Sequence, residues 1–250
     1  ASNCLGTIND VKAITELAHQ SDTLVFVDAV QYVPHGPTDV QNIDCDFLAC
    51  SPYKFFGPHQ GVLWGKAELL SSLEAYKVRP ADNSAPGKFE TGTQLHEGQA
   101  GTLGVLEYLE WIGKTMGPEF QCNFPNFSGR RLHLHTAMLA IQEYEKTLSS
   151  RLIEGLQNLA GVDVRGISTK KDFSHRVPTV SFTVSNQNPE DIAMKLAAEN
   201  IYVWHGHNYA LEVIRQLGLE NFGGVVRIGP VHYNTAEEID YVLDVLKTCW

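Results

Sequence analysis

Apolar positions along this chain take two forms, short unbroken runs and longer stripes at helical spacing. The stripe Val11, Ile14, Leu17 and Ala18 follows Asn9 as an N-cap and Asp10 at the positive helix end, which predicts a helix over about residues 10–20. The runs Leu24–Val27, Phe47–Cys50 and Val62–Trp64 are too short for helices and do not alternate. They read as strands buried on both faces of a helix-covered sheet. After Gly98, the spacing of Leu103, Leu106, Leu109 and Ile112 predicts another helix, and the Gly/Pro/Asn-rich passage from Gly113 to Gly129 then predicts a domain boundary. That boundary divides the chain into residues 1–125 and 126–250.

The second part opens with a helical stripe of Leu132, Leu134, Met138, Ile141, Tyr144, Leu148 and Leu152, and Thr179–Val184 alternates like a half-exposed strand. Asn188-Pro189-Glu190-Asp191 supplies an N-cap, an N1 proline and an acidic first turn for a helix ending near Asn200. Ile201–Trp204 and Val225–Ile228 read as strands. Thr235-x-x-Glu238 is a capping box for a last helix that turns Ile239, Val242, Leu243 and Leu246 inward. The expected class is α/β, with a mostly parallel sheet flanked by helices followed by a small α/β domain.

Composition narrows the function. Hydrophobic residues at 43% and charged ones at 19% argue against disorder and fibrous classes. A formal charge of −10, with no basic cluster beyond Arg130-Arg131, argues against a nucleic-acid or anionic-membrane surface. The five cysteines form no C-x-x-C and no even framework, which points to a reducing, cytoplasmic setting. No apolar run reaches the roughly 18 residues of a membrane span.

Two residues carry the candidate chemistry. Lys54 lies in Ser51-Pro52-Tyr53-Lys54-Phe55-Phe56-Gly57-Pro58, where a strand enters a tight turn. An amine placed there is expected to lose water and lower its pKa, as Schiff-base formation requires. Asp28 ends an apolar run at the strand's C-terminal end, where open α/β sheets place ligands. Its carboxylate suits the pairing that keeps a pyridinium nitrogen protonated. Ser51 offers a hydroxyl to a phosphate, Gln31 an amide to a ring hydroxyl, and Tyr53 an aromatic donor. Arg227 presents the planar fork suited to a carboxylate. His133-x-His135 points to two sides of a helix and His205-x-His207 has no neighbouring Cys or acid, so no metal site is expected. No G-x-G-x-x-G follows a strand, which ranks a nucleotide-binding domain last.

These motifs, in order, resemble the fold-type-I pyridoxal-phosphate enzymes grouped as class V aminotransferases and cysteine desulfurases. The resemblance runs from Ser2-Asn3-x-x-Gly6-Thr7 through Val27-Asp28-Ala29-Val30-Gln31, Ser51-x-x-Lys54-x-x-Gly57-Pro58 and Phe89-Glu90-Thr91-Gly92-Thr93 to Val226-Arg227-Ile228-Gly229 and Tyr233-Asn234-Thr235. It implies that Lys54 holds pyridoxal phosphate, Asp28 pairs with the ring nitrogen, Asn3 and Gln31 lie near the ring hydroxyl, and Ser51 touches the phosphate. It implies further that Thr93 reaches the partner's phosphate in a homodimer and that Arg227 grips the carboxylate of an amino-acid substrate, with His207 and Tyr209 lining the pocket.

Tyr53 stands where desulfurases of this group carry His, and Gly206-His207-Asn208-Tyr209 stands where they carry the sulfur-accepting Cys. Persulfide chemistry needs a thiolate, so the chain resembles most the desulfurase-like branch with Trp204-x-Gly206-His207-x-Tyr209-Ala210. The resemblance also implies an upstream phosphate-binding helix N-terminus. The chain opens Ala1-Ser2-Asn3 without Met, so it reads as an N-terminally truncated fragment. The expected function is a pyridoxal-phosphate-dependent aminotransferase or lyase reaction; the alternative is a catalytically inactive fragment serving as a dimerisation or binding module.

Overall fold

The computed structural model of the chain describes residues 1–250 and resolves into two compact units, residues 10–139 on one hand and residues 1–9 with 140–250 on the other. The division falls inside a long helix, later than the passage from Gly113 to Gly129, and it assigns the opening residues to the C-terminal unit.

In the first unit, α1 (Val11–His19) is capped by Asp10 instead of Asn9, because the Asp10 carboxylate accepts from Ala13 N at 3.0 Å. β1 (Phe26–Asp28) runs parallel to β2 (Phe47–Cys50), and α2 (Val40–Ile43) lies between them in sequence. β3 (Val62–Gly65) pairs antiparallel with β2, so the three-stranded sheet is mixed. α3 (Ala67–Ser72) and α4 (His96–Thr115) complete the unit, and the buried Lys88 ends α3 by donating to Ser71 O at 2.9 Å and Leu73 O at 2.7 Å.

Strand alternation puts Val27, Leu48, Cys50 and Trp64 against Val33, Val40, Ile43 and Cys45. The opposite face stacks Phe26 on Phe47 at 5.9 Å but leaves Phe26 59% and Leu63 56% exposed. Burial on both faces, expected from the unbroken runs, is uneven in this unit: one face meets the cluster around Cys45, while the other is covered in part, by Leu70 of α3 beside Gly65 and Phe47.

β1 also starts later than the apolar run, since Val25 N donates to the Asp46 carboxylate at 2.7 Å. Asp46 is 3% exposed. His19 Nε2 lies 2.9 Å from Oδ2 and Lys66 Nζ 3.1 Å from Oδ1. Burial pushes the Asp46 carboxyl up, yet the bonds from His19, Val25 and Lys66 outweigh it and hold the group below the ordinary Asp range.

The second unit takes the C-terminal part of α5 (Gly129–Gln157) and packs it, with α6 (Pro189–Ala198) and α8 (Ala236–Leu246), on an antiparallel sheet. The strands are β4 (Val162–Arg165), β5 (Val180–Val184), β6 (Trp204–Gly206) and β7 (Val225–Ile228), in the order β4-β5-β7-β6. Leu148, Leu152 and Leu156 meet Phe182, Val226, Ile192, Leu196 and Leu243 in the core. The Thr235/Glu238 capping box is formed at the start of α8.

On the other face, Cys4 and Leu5 pack with Val225, Leu219 and with Ile214 of α7 (Leu211–Gln216). The fully buried Ser181 donates its hydroxyl to Cys4 O. β5, expected to be half-exposed, is thus covered on both faces, because residues 1–9 lie over the side carrying its polar positions. β6 begins at Trp204 instead of Ile201, since Ile201 N is used by Leu196 O at the end of α6, 2.9 Å away. No helix of the chain is long and apolar enough to cross a membrane.

Asp46→Asn is expected to destabilise the fold by about 3 kcal/mol at neutral pH, because it leaves the charge of Lys66 and its neighbours without a buried counterpart. A folded-state pKa lowered below the unfolded one makes the carboxylate's contribution complete above about pH 4 and lost as pH falls through the lower folded value. Urea midpoints of the two proteins should therefore differ at pH 7 and converge in acid. Equal midpoints at pH 7 would show that the network contributes nothing net.

Candidate functional site

The sequence-derived site residues fall into two groups, one in each unit. In the first unit, the parallel register pairs Asp28 with Ala49, so Asp28 and Ser51 emerge at the C-terminal ends of adjacent strands. Asp28 is exposed and accepts from Val30 N at 3.0 Å through Oδ1. A 3₁₀ turn over Pro52–Phe55 follows Ser51, with Pro52 and Phe55 buried as anchors. It closes through Gly57 N to Pro52 O at 2.8 Å and a left-handed Phe56 at φ +76°. That turn projects Tyr53 and Lys54 outward.

Lys54 is exposed, so the desolvation expected of it is not provided by this turn. Its ammonium makes no hydrogen bond or ion pair, and its ring neighbour is Tyr53, with Nζ 5.5 Å from the centroid. The Tyr53 ring stacks in turn on His59 at 5.1 Å and 14°. His59 escaped the sequence reading because only the fold-back at Gly57-Pro58 brings it to Tyr53. Gln31 is half-buried beside this edge, and Thr93 is exposed in the loop before α4.

The second unit holds Arg227, Asn3, His207 and Tyr209. Arg227 sits on β7, half-buried, and its Nη1 donates to Asn3 O at 2.7 Å. No carboxylate pairs with it, and its Nε and Nη2 atoms make no hydrogen bond. Burial lowers its pKa from the ordinary Arg value, with nearby Cys4 acting the other way. The Asn3 amide donates to Asn208 O at 2.7 Å, so this residue, which the resemblance assigns to a ring hydroxyl, joins Arg227 to the loop from Gly206 to Ala210.

That loop is conformationally costly. Asn208 and Tyr209 are both left-handed, at φ +52° and +59°. Tyr209 N donates to His207 Nδ1 at 3.1 Å, and Ala210 N donates to His207 O at 2.8 Å. The His207 and Tyr209 rings meet edge-on at 6.2 Å, and Tyr209 is 98% exposed. Gly224 permits the close pass beneath: a Cβ there would stand 2.3 Å from Gly206 O, at φ +87°. Trp204, just before the loop, was not singled out for chemistry because only strand register sets it opposite Arg227. A half-buried guanidinium without a counter-ion keeps one edge whose geometry suits a carboxylate.

The family model described as aminotransferase class-V matches residues 1–117 and 131–242. The aminotransferase-like protein FGM3 of Gibberella zeae is 33% identical over 251 residues, which cover 98% of this chain and 56% of that protein. A cysteine desulfurase of Synechococcus elongatus is 32% identical over 258 residues, covering 98% of this chain and 36% of its own length. Among solved structures, the apo cysteine desulfurase from Thermococcus onnurineus NA1 has a TM-score of 0.82 at 28% identity, covering 99% of this chain and 57% of that one. The chain thus spans between 36% and 57% of the length of these three relatives.

Gly224→Ala is expected to cost at least about 2 kcal/mol, from the left-handed backbone and the clash with Gly206 O. Urea unfolding gives the loss, and proteolysis of native protein should shift toward cleavage between residues 205 and 210. An unchanged midpoint and cleavage pattern would contradict the close pass.

Proposed function

The chain belongs to the aminotransferase class-V family, and on that premise we propose that it acts in a pyridoxal-phosphate-dependent transformation of an amino acid, of aminotransferase or lyase type, with Lys54 as the cofactor lysine. The observation that carries this reading is the setting of Lys54: an ammonium without any polar partner, presented by an anchored turn immediately beyond the strand ends that bear Asp28 and Ser51. The donor set fits the cofactor, with an amine for its aldehyde, a carboxylate for its ring nitrogen and a hydroxyl for its phosphate. Bound pyridoxal phosphate supplies an electron sink for charge developing at the amino acid's α-carbon.

The chain's own groups have distinct tasks. Lys54 holds the cofactor through its amine and carries the proton to or from the α-carbon. Asp28 keeps the ring nitrogen protonated by charge pairing, and its single bond from Val30 N leaves Oδ2 for that contact. Ser51 serves the phosphate, Gln31 the ring hydroxyl, and Tyr53, braced by His59, forms an aromatic wall beside Lys54. Arg227 receives the substrate carboxylate in its own unit, oriented by Asn3, with His207 and Tyr209 lining the approach. Thr93 serves the phosphate of a partner subunit in a homodimer.

Persulfide chemistry is not part of the proposal. The loop from Gly206 to Ala210 presents Tyr209, and burial pushes the Cys4 thiol of the same unit up, away from the reactive thiolate. Five free thiols suit a reducing, cytoplasmic compartment.

The test is covalent capture. Incubation with pyridoxal phosphate and then borohydride should fix the cofactor's mass on the peptide bearing Lys54, with a visible absorbance band that Lys54→Ala lacks. Absence of both in the well-folded chain would sink the reading and leave a catalytically inactive dimerisation or binding module.

A further inference from the structure

We propose that Trp204 is a specificity-determining residue, and that the substrates of this site are amino acids with bulky apolar or aromatic side chains. The proposal rests on the reading of Arg227 as the carboxylate receptor. It starts from register: Trp204 is paired with Arg227 across the antiparallel β6–β7 ladder, and Arg227 is paired with Ser181 on its other side. Paired residues project to the same face, with Cβ atoms roughly 4.5–5.5 Å apart. Arg227 reaches Asn3 O and Ser181 reaches Cys4 O, so the shared face is the one that residues 1–9 overlie, and Trp204 flanks the guanidinium on the edge strand.

Trp204 has no structural employment. It is 69% exposed, its indole N–H makes no hydrogen bond, and its ring makes no aromatic or cation contact. A large amphipathic ring left bare next to a cation with an unused edge offers two complementary contacts to one small molecule. The carboxylate takes the Arg227 fork, and an apolar group a few carbons away covers the indole. A second cation in the side chain would be repelled by Arg227, and a methyl group is too short to bridge the pair. Beyond Trp204, the Asn3–Asn208 bond holds Tyr209 out in solvent, which places a second bare aromatic in the same tethered loop.

Cofactor-free carboxylates test this directly. The full chain is titrated with acetate, 3-phenylpropionate and 6-aminohexanoate, followed by calorimetry and by the indole N–H resonance assigned through Trp204→Phe. The expected order has 3-phenylpropionate bound about tenfold more tightly than acetate, with 6-aminohexanoate no better than acetate. Trp204→Ala should erase that preference and leave acetate binding unchanged, Trp204→Phe should keep most of it, and Arg227→Lys should weaken all three ligands.

Loss of binding in Arg227→Lys with the preference intact in Trp204→Ala would overturn the specificity role alone. Equal binding of all ligands by Arg227→Lys and the unaltered chain, or no carboxylate binding at all, would overturn the receptor reading and the inference with it. Tighter binding of 6-aminohexanoate than of 3-phenylpropionate would overturn the apolar substrate class.

Discussion

A guanidinium that is half-buried without a carboxylate beside it is the constraint around which the second unit is arranged. Desolvating a charge is costly, and a single neutral hydrogen bond to Asn3 O offsets only part of that cost. Arg227 persists there because residues 1–9 are laid over the sheet and bring that carbonyl to it. Their course depends on two further features. Gly6, at φ +75°, passes so close that a Cβ would lie 2.4 Å from Thr179 O. Buried Arg176 gathers the carbonyls of Leu5, Ile167, Val177 and Thr179, and burial holds its pKa down to about 10. One arginine is spent on backbone carbonyls so that another can keep an open edge.

The first unit solves the opposite problem with the opposite sign. Its buried charge, Asp46, is fully met by His19, Lys66 and Val25 N, and it fixes where β1 begins. The residues proposed for chemistry lie beyond the far ends of the same strands, where Asp28 and Lys54 are exposed and lightly bonded. A well-satisfied charge at one end of β1 and an exposed, lightly bonded pair beyond the other is a division of labour along a strand of three residues. The amine is unencumbered, and any loss of water that Schiff-base chemistry needs must come from what binds over it, not from the turn itself.

Much of this was legible in the residues. Asn188-Pro189 and Thr235-x-x-Glu238 marked their helix starts because capping is a local interaction, and the Phe47–Cys50 run became a strand with those bounds. The errors concern which faces are covered. Alternation at Thr179–Val184 reads as one wet face, yet Ser181 is buried under Cys4, a partner 177 residues away that no local pattern encodes. Unbroken runs at Leu24–Val27 and Val62–Trp64 read as doubly buried, yet Phe26 and Leu63 stay more than half exposed. The site divided in the same way. Motif order singled out Lys54, Asp28 and Arg227, whereas the pairing of Trp204 with Arg227 and of His59 with Tyr53 emerged only from strand register and from the fold-back of a turn.

The layer formed by residues 1–9 has a consequence for how the protein is made. Asn3 leaves the ribosome 224 residues ahead of Arg227, and at ordinary synthesis rates of 5–20 residues per second that is a wait of about 10–45 s. Helices such as α1 and α8 close on neighbours and need no such delay. Cys4 and Leu5 must therefore stay without their partners while the intervening residues are translated, and the Asn3–Arg227 contact closes only after β7 has emerged.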